Sequence, residues 1–466
     1  MSIQLLIIIL YFLLTIIIGI FAKRGSTSSS SFHGAGLGVL MCVAAGTGEW
    51  LGGTSTSGIS EYGFSAGISG AWYTVANGIG IIVLAIFFAK LYRSLGTVTV
   101  PGIIEKYLGV KSRIVASLLL TFVMIAVGTA QIIAAGTLGV TVLGLNFKTA
   151  VIIMGLGFII YTLAGGMNAI GYTNILHLFC MYGGTVVALC CVGRFIGGFS
   201  SLAGALPADP YFQVSGIGWP KVSSWIIASI LGACTAQAGI QPILAAKDVN
   251  VARKAAFITA LIVAPFGILT ALLGMAAKVT FPNLSDAKLA LPTLLMELNP
   301  VIGGLVMASI FAAVLSTISP IILASGTMFT KDIYQRIFKP QASDREILFI
   351  SRLSTGLAGV FCVLLALMLA SGTTILDMVY FAYSLRGALF VVLLFGIYWR
   401  FTSQRGSVWA MIATGSIGLF WVAYKANTGN YPISPVFTET YASVICATLA
   451  TIIFSYILPD NPNRTQ

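Results

Sequence analysis

Two ionisable side chains lie inside long apolar stretches of this sequence. Glu49 lies within the stretch at 34–58, and Arg386 lies within the stretch at 376–399. An ionised group at the centre of a bilayer costs roughly 2.5–3.5 kcal/mol on insertion scales, so it usually serves a pathway or pairs with a partner. Two interpretations stay open. Arg386 holds a substrate carboxylate in bidentate fashion while Glu49 binds an amine or a proton, or the two residues form a structural ion pair.

Two glycine-rich segments predict interruptions of membrane helices. They are AAGTGEWLGG at 44–53 and GACTAQAGIQP at 232–242. Glycine also favours close helix packing, but these segments fall in the first and sixth helices of a ten-helix block. Interrupted helices at matching places in two halves indicate an inverted-repeat transporter with a site near the bilayer midplane. The predicted substrate-binding residues are therefore Gly48, Glu49, Trp50, Gln237, Gln241 and Arg386.

The composition predicts the elements that must position these residues. Of 466 residues, 58% are hydrophobic and only 8% are charged, which is too few charges for the surface of a soluble domain. The apolar runs are long enough for helices across about 30 Å of hydrocarbon and lack the alternation of barrel strands. We predict an all-α integral membrane protein in the lipid bilayer. Its thirteen spans are 3–22, 34–58, 66–89, 114–141, 149–166, 172–199, 223–245, 252–277, 299–328, 348–371, 376–399, 406–424 and 434–458.

The basic residues predict the orientation. An odd number of spans puts the termini on opposite sides, and 18 of the 25 Lys and Arg residues fall in loops of one side against 6 on the other. Positive loops stay in the cytoplasm, so we predict a cell-membrane protein with its N-terminus outside and its C-terminus cytoplasmic. The charge of +12 is spread over short loops, so no nucleic-acid partner is expected. The Ser-rich stretch at 26–31 predicts a flexible loop.

Five motifs in order resemble the sodium:solute symporter family. The strongest motif has two consecutive parts, residues 312–319 (AAVLSTIS) and 325–334 (SGTMFTKDIY), which are similar to the family's AAxxSSxSS and STxFTxDIY. The other similar stretches are 44–50 at the first glycine-rich segment, YTLAGGMNA at 161–169, QPILAAKDVNVA at 241–252, and YWRFT at 398–402 with Gly406.

This resemblance implies a core of two inverted five-helix repeats and sodium-coupled import of a small organic solute by alternating access. It implies a peripheral first span and loop at 1–33, a first repeat at 34–199 and an external loop at 200–222. A second repeat at 223–400 and two peripheral spans with a tail at 401–466 would follow. No enzymatic activity and no organic cofactor are expected, and the oligomeric state stays open.

The resemblance also implies a sodium site. Its ligands would be the carbonyl oxygens of Ala44, Thr47 and Ala313 and the hydroxyls of Ser316 and Thr317. Neutral oxygens suit a hard monovalent cation. The alternative is that both hydroxyls only bond the backbone one turn back, as hydroxyls in membrane helices often do.

Three positions depart from the family pattern. Asn174 stands where the family usually has Asp near the inner sodium exit, and Pro242 replaces the usual Arg. Ala238 stands where sugar-carrying members place an aromatic gate. Together with the opposite charges of Glu49 and Arg386, this favours an amino acid or a carboxylate over a sugar.

Two other functions stay open from the sequence. A transporter of the same fold could be proton-coupled through Glu49, or uncoupled. The sequence Gly67-Ile68-Ser69-Gly70 also matches the GxSG of rhomboid-type intramembrane serine proteases, with His177 as a possible base. That motif is short and easily met in a chain with 51 glycines.

Overall fold

The computed structural model describes residues 3–23, 36–369 and 374–460, leaving out the side chains of 19–23 and 164–169. This described part is helical and contains no β-strand. Ten of its helical segments are long and apolar enough to cross a membrane, and Ile3–Ile18, Phe147–Leu163 and Ala287–Met296 are shorter apolar helices. The loop predicted at 26–31 lies outside the described residues.

The helices are numbered here in chain order. The first half contains α1 Ile3–Lys23, α2 Val39–Trp50, α3 Ile59–Ala66, α4 Trp72–Val83, α5 Ala89–Ser94, α6 Val100–Leu143, α7 Phe147–Phe195, α8 Ser201–Ala205 and α9 Ala208–Tyr211. The second half contains α10 Trp219–Ala233, α11 Gln237–Leu244, α12 Val249–Thr280, α13 Ala290–Met296, α14 Pro300–Met328, α15 Asp344–Leu369, α16 Ile375–Tyr398, α17 Gln404–Thr428 and α18 Glu439–Ile457. Short π-helical segments follow α2, α4 and α14, at Thr54–Gly58, Leu84–Phe88 and Phe329–Phe338.

Helix α7 crosses the fold twice. The Tyr161 hydroxyl donates to the Thr173 hydroxyl twelve residues later, whereas a straight helix would separate these residues by about 18 Å along its axis. The adjacent α1 residues Tyr11 and Phe12 also touch both halves, at His177 and beside Gly157. The halves Phe147–Leu163 and Ile170–Phe195 therefore lie side by side, as the separate spans predicted at 149–166 and 172–199 require.

Helix α6 begins earlier than the predicted span at 114–141. The Thr99 side chain caps its first turn by accepting from the Gly102 amide, and Pro101 suits that turn. Gly109 has φ +79°, outside the helical region, and so separates a short first segment from the membrane-crossing part. The hydropathy pattern detected only the second segment.

Both predicted helix interruptions are present. Helix α2 ends at Trp50, and Leu51 has φ −112° and ψ 78° before the chain turns helical again at Thr54. Helix α10 ends at Ala233, and Ala236 has φ −70° and ψ 90° before α11 begins. The glycines allow close approach at the first interruption, since a Cβ on Gly52 would lie 2.2 Å from the Thr317 hydroxyl.

The two interrupted helices meet at one end of the molecule. The Leu37 amide donates to the Ala245 carbonyl at 2.9 Å, and the Lys247 amide donates to the Leu37 carbonyl at 3.0 Å. The Arg93 side chain adds a bond to the Ala246 carbonyl at 2.6 Å. The segment before α2 is thereby joined to the residues that follow α11.

Candidate functional site

The centre of the site is the pair of ionisable residues singled out in the sequence. Glu49 lies in the last turn of α2, directly before the first interruption, and Arg386 lies in the middle of α16. Arg386 Nη1 and Glu49 Oε1 are 3.6 Å apart, and both side chains are 0% exposed. The fold thus brings together two charges that are 337 positions apart in the sequence.

This pair leaves most of its hydrogen-bonding capacity unused. Among the described residues, neither carboxylate oxygen of Glu49 and none of the three guanidinium nitrogens of Arg386 has a hydrogen-bond partner. Buried polar groups in native proteins are normally hydrogen-bonded, and leaving a charged one unpaired is costly. An ion pair without hydrogen bonds is therefore a poor structural lock and a good receptor for a ligand with complementary polar groups.

Aromatic rings hold the guanidinium in place. The Arg386 guanidinium carbon lies 3.6 Å from the ring centre of Tyr383 and 5.0 Å from that of Trp50, a cation–π arrangement. Trp50 packs against Gly239 of α11, where a Cβ would come within 3.1 Å of the indole nitrogen. The Thr235 hydroxyl, inside the second interruption, donates to the Arg386 carbonyl at 2.5 Å. Both interruptions therefore border this pair.

A cluster of aromatic residues connects the pair to α10. The Tyr73 and Tyr383 hydroxyls are 3.0 Å apart, and Tyr380 stacks on Trp225 with ring centres 4.3 Å apart. Beyond Trp225, Lys221 Nζ lies 2.8 Å from Asp377 Oδ1. The two tyrosines of α16 were not predicted from the sequence, although Tyr383 and Tyr380 lie about one and two helical turns before Arg386, a spacing that puts them on one helix face.

Three of the five residues predicted to hold sodium, Ala313, Ser316 and Thr317, lie on α14 beside the first interruption. The Ser316 hydroxyl donates to the Ala313 carbonyl at 2.8 Å. The Thr317 hydroxyl donates to the Gly48 carbonyl and lies 3.2 Å from the Ala313 carbonyl. Three predicted ligands and the end of α2 are thus within hydrogen-bonding reach of one another, next to Glu49.

The α2 carbonyls of the prediction are placed differently. The Thr47 carbonyl accepts from the Leu51 amide at 2.9 Å. The buried hydroxyl of Thr47 has no hydrogen-bond partner among the described residues. Ala44 is buried one turn earlier in the regular part of α2. The carbonyl in contact with Thr317 belongs to Gly48, which the motif alone did not single out as a sodium ligand.

Gly48 sits in a tight crossing, so its substitution is expected to be damaging. A Cβ there would lie 2.3 Å from Asn174 Nδ2 and 2.7 Å from the Ser316 carbonyl. We expect Gly48→Ala to lower stability by about 1–3 kcal/mol through overpacking, measured as a lower apparent melting temperature in detergent. Gly46→Ala is the control, because a Cβ there meets Thr259 at an ordinary 3.4 Å. Equal melting temperatures for the two variants would contradict this packing.

The two glutamines predicted to bind substrate lie on α11. The Gln237 Oε1 atom accepts from the Val100 amide at 2.7 Å, and its Nε2 atom lies 3.4 Å from the Val98 carbonyl. These bonds tie Gln237 to the start of α6, and a substrate contact for it stays a prediction. Gln241 is fully buried one turn later on α11.

The protease alternative finds no support in the geometry. The Ser69 hydroxyl donates to the Ala66 carbonyl at 2.9 Å. His177 Nδ1 is 2.5 Å from the Tyr11 hydroxyl, and its other ring nitrogen has no hydrogen-bond partner among the described residues. The two residues therefore form no nucleophile–base pair.

Comparison with known proteins agrees with this architecture. A model of the sodium:solute symporter family matches residues 32–414. The osmoregulated proline transporter OpuE of Bacillus subtilis is 26% identical over 473 residues, covering 97% of this chain and 96% of its own. The sodium/glucose cotransporter of Vibrio parahaemolyticus is 24% identical, covering 85% and 78% respectively. A solved structure of a Na⁺-coupled sialic acid symporter superposes with TM-score 0.82 at 19% identity, covering 98% of each chain.

The chain belongs to the sodium:solute symporter family. The predicted all-α membrane fold, with an inverted-repeat core and interrupted first and sixth core helices, is confirmed. The protein is a multi-pass membrane transporter that couples sodium to the movement of a small solute, and it is not an enzyme.

Proposed function

We propose that this symporter carries a small zwitterionic solute, an amino acid, bound between Glu49 and Arg386. The observation that carries the proposal is the buried pair whose polar atoms lack hydrogen bonds among the described residues. A zwitterion inserted between them offers a carboxylate to the guanidinium fork and an ammonium to the carboxylate, so four charges become paired. A sugar supplies neither charge, and a simple carboxylate would leave Glu49 unmatched.

The relatives' names support a small polar solute but do not distinguish an amino acid from a sugar. The Bacillus subtilis relatives include two proline transporters, OpuE and PutP, whereas the Vibrio parahaemolyticus relative is a glucose cotransporter. Because these identities are similarly low, the charges at the site are the stronger guide to the substrate of this chain. They favour the amino acid.

The proposed sodium site consists of the Ala44, Thr47 and Ala313 carbonyls with the Ser316 and Thr317 hydroxyls, as the family resemblance implies. To these we add the Gly48 carbonyl, because Thr317 already contacts it. An ion held there bridges α14 and the end of α2. Glu49 and Trp50 follow Gly48 directly, so sodium binding orders the segment that contacts the solute. This is the differential interaction that coupling of two ligands requires.

Alternating access requires both ends of the pathway to open in turn. One end is closed where Leu37 pairs with residues 245–247. The other is closed by the Trp225–Tyr380 stack and the Lys221–Asp377 ion pair, in which Asp377 also accepts from the Tyr62 hydroxyl at 2.9 Å. The proposed binding pair lies between these closures, so each can exclude water from it while the other opens.

We further propose that the Leu37 end faces the cytoplasm, with the N-terminus outside the cell membrane. A cysteine at exposed Asn427 should then react with a membrane-impermeant maleimide on intact cells, and one at exposed Gln341 should react only after permeabilisation. Each cysteine is introduced separately into a variant whose seven native cysteines are replaced. The reverse labelling pattern would overturn the orientation.

The substrate proposal is tested by thermal unfolding of purified protein with a solute panel, in sodium and in choline. Ligands that bind the native state raise its apparent stability. We expect a neutral amino acid such as proline, alanine or serine to raise the melting temperature in sodium, and much less in choline. Lactate and glucose serve as the single-charge and uncharged controls. A shift with glucose and none with any amino acid would refute the proposal.

A further inference from the structure

A polar cavity on the proposed cytoplasmic side takes no part in the site described above. It has a volume of about 740 Å³ and lies between the loop at 95–99, the start of α6 and the π-helical segment Phe329–Phe338. Arg93, which donates to the Ala246 carbonyl, lies two residues before the loop that lines this cavity. Its charged lining consists of Glu105, Lys106, Arg113, Lys331 and Arg336.

The charges of this cavity are unbalanced. Glu105 accepts from both Arg113 and Arg336, the latter at 2.5 Å. Arg113 also holds Asp332, a residue with 0% side-chain exposure, at 2.6 Å. Lys106 and Lys331 add two further cations, and Lys106 has no acidic partner within 4.0 Å among the described residues. Four cations thus face the carboxylates of Glu105 and Asp332, and Asp344 acts on Lys331 as well, so the cavity keeps a net positive charge.

The carboxylates fix the arginines rather than neutralise the cavity. Glu105 and Asp332 together bind three of the Arg113 nitrogens, and Glu105 binds two of the Arg336 nitrogens. Guanidinium groups pinned in this way are pre-organised, so little side-chain entropy is lost when a further anion approaches. Lys331 Nζ donates to Gln335 Oε1 at 3.1 Å, so it and Lys106 are the two cations here that no carboxylate of the described residues binds directly.

We propose that this cavity binds a phosphate-type oxyanion, either free phosphate or the headgroup of an anionic phospholipid. Tetrahedral oxyanions are matched by clusters of Arg and Lys through charge-assisted hydrogen bonds. The Thr97 hydroxyl at the cavity wall is an additional polar group and has no hydrogen-bond partner among the described residues. Both sources occur at the cytoplasmic membrane surface, where basic residues are attracted to anionic headgroups.

An oxyanion here would act on the transport cycle through the cavity walls. The Thr99 hydroxyl donates to Asp332 at 2.7 Å, which joins the loop to the segment that continues α14, the proposed sodium helix. Gln237, the first residue of α11 just after the second interruption, bonds the backbone of the same region at Val98 and Val100. Binding therefore stabilises the arrangement in which this end is closed, and it slows opening towards the cytoplasm.

The first test measures thermal unfolding of the detergent-purified protein while inorganic phosphate replaces chloride at constant ionic strength. We expect a saturable rise in melting temperature for the native chain. Lys106→Gln/Lys331→Gln should raise the half-saturating phosphate concentration about tenfold or more, the effect of losing charge-assisted hydrogen bonds. Arg253→Gln/Lys254→Gln removes two exposed charges elsewhere on the same side and should respond as the native chain does. This control also cancels the general stabilisation by phosphate as a salt.

The second test separates the two sources of the oxyanion. The same three proteins are reconstituted in nanodiscs of phosphatidylcholine alone or with phosphatidylglycerol, without phosphate. A phosphatidylglycerol-dependent stabilisation that the Lys106/Lys331 variant loses identifies a lipid headgroup. If the Lys106/Lys331 variant loses the response to inorganic phosphate but none of the proteins responds to phosphatidylglycerol, the ligand is a soluble anion. If all three proteins respond identically to both probes, the cavity is not an oxyanion site.

Discussion

Replacing Arg386 with glutamine is expected to reduce sodium-driven uptake by at least about a hundredfold and to lower stability by roughly 3–5 kcal/mol, because Glu49 is left as an uncompensated buried charge. The structure places both side chains at 0% exposure and 3.6 Å apart, so no solvent can take over the lost interaction. Uptake into proteoliposomes and the melting temperature in detergent measure the two effects.

The double variant Glu49→Gln/Arg386→Gln separates a substrate role from a structural one. With no buried charge left, its melting temperature should return close to that of the native chain, whereas uptake should stay abolished because nothing binds the zwitterion's charges. Arg405→Gln, at an exposed position beyond α16, is the matched control and should transport normally. Transport by the double variant would show that the pair is only a structural ion pair.

Removing the Thr317 hydroxyl is expected to weaken sodium activation of uptake about tenfold or more. Thr317→Val preserves the shape of the side chain but removes the oxygen that contacts the Gly48 and Ala313 carbonyls. The cation site then loses a ligand, and a buried carbonyl loses its donor. The half-saturating sodium concentration for uptake measures the effect.

A serine pair on the same helix supplies a matched comparison. Ser316 donates to the Ala313 carbonyl at 2.8 Å, and Ser325 donates to the Ile321 carbonyl at 3.0 Å, both within α14. If both hydroxyls only satisfy the helix backbone, the two alanine variants should behave alike. We expect Ser316→Ala to raise the half-saturating sodium concentration and Ser325→Ala to leave it unchanged. Equal values would remove Ser316 from the proposed site.

The architecture was predictable where the cause is local in the sequence. Long apolar runs specify membrane helices, and clustered glycines at 44–53 and 232–242 located both interruptions to within a few residues. The start of α6 escaped the hydropathy pattern because its first segment is amphipathic and is set by the Thr99 cap. The reversal within α7 is visible through contacts such as Tyr161 with Thr173.

The candidate site was only partly predictable, because its details depend on contacts between distant helices. The charges at 49 and 386 stood out because ionised groups are rare in apolar runs. The contact between Thr317 and the Gly48 carbonyl depends on how α2 crosses α14, which no spacing rule gives. For the same reason the sequence did not predict that Gln237 bonds the backbone at 98–100, and its contact with substrate stays a prediction.

The most direct measurement is an experimental structure of the protein in saturating sodium with the amino acid that the thermal screen selects. We expect the ligand carboxylate to contact the Arg386 guanidinium and the ligand ammonium to contact the Glu49 carboxylate. An ion should also lie among the oxygens of Gly48, Ala313 and Thr317. A ligand bound elsewhere, with Glu49 and Arg386 still facing each other directly, would contradict the proposed substrate site.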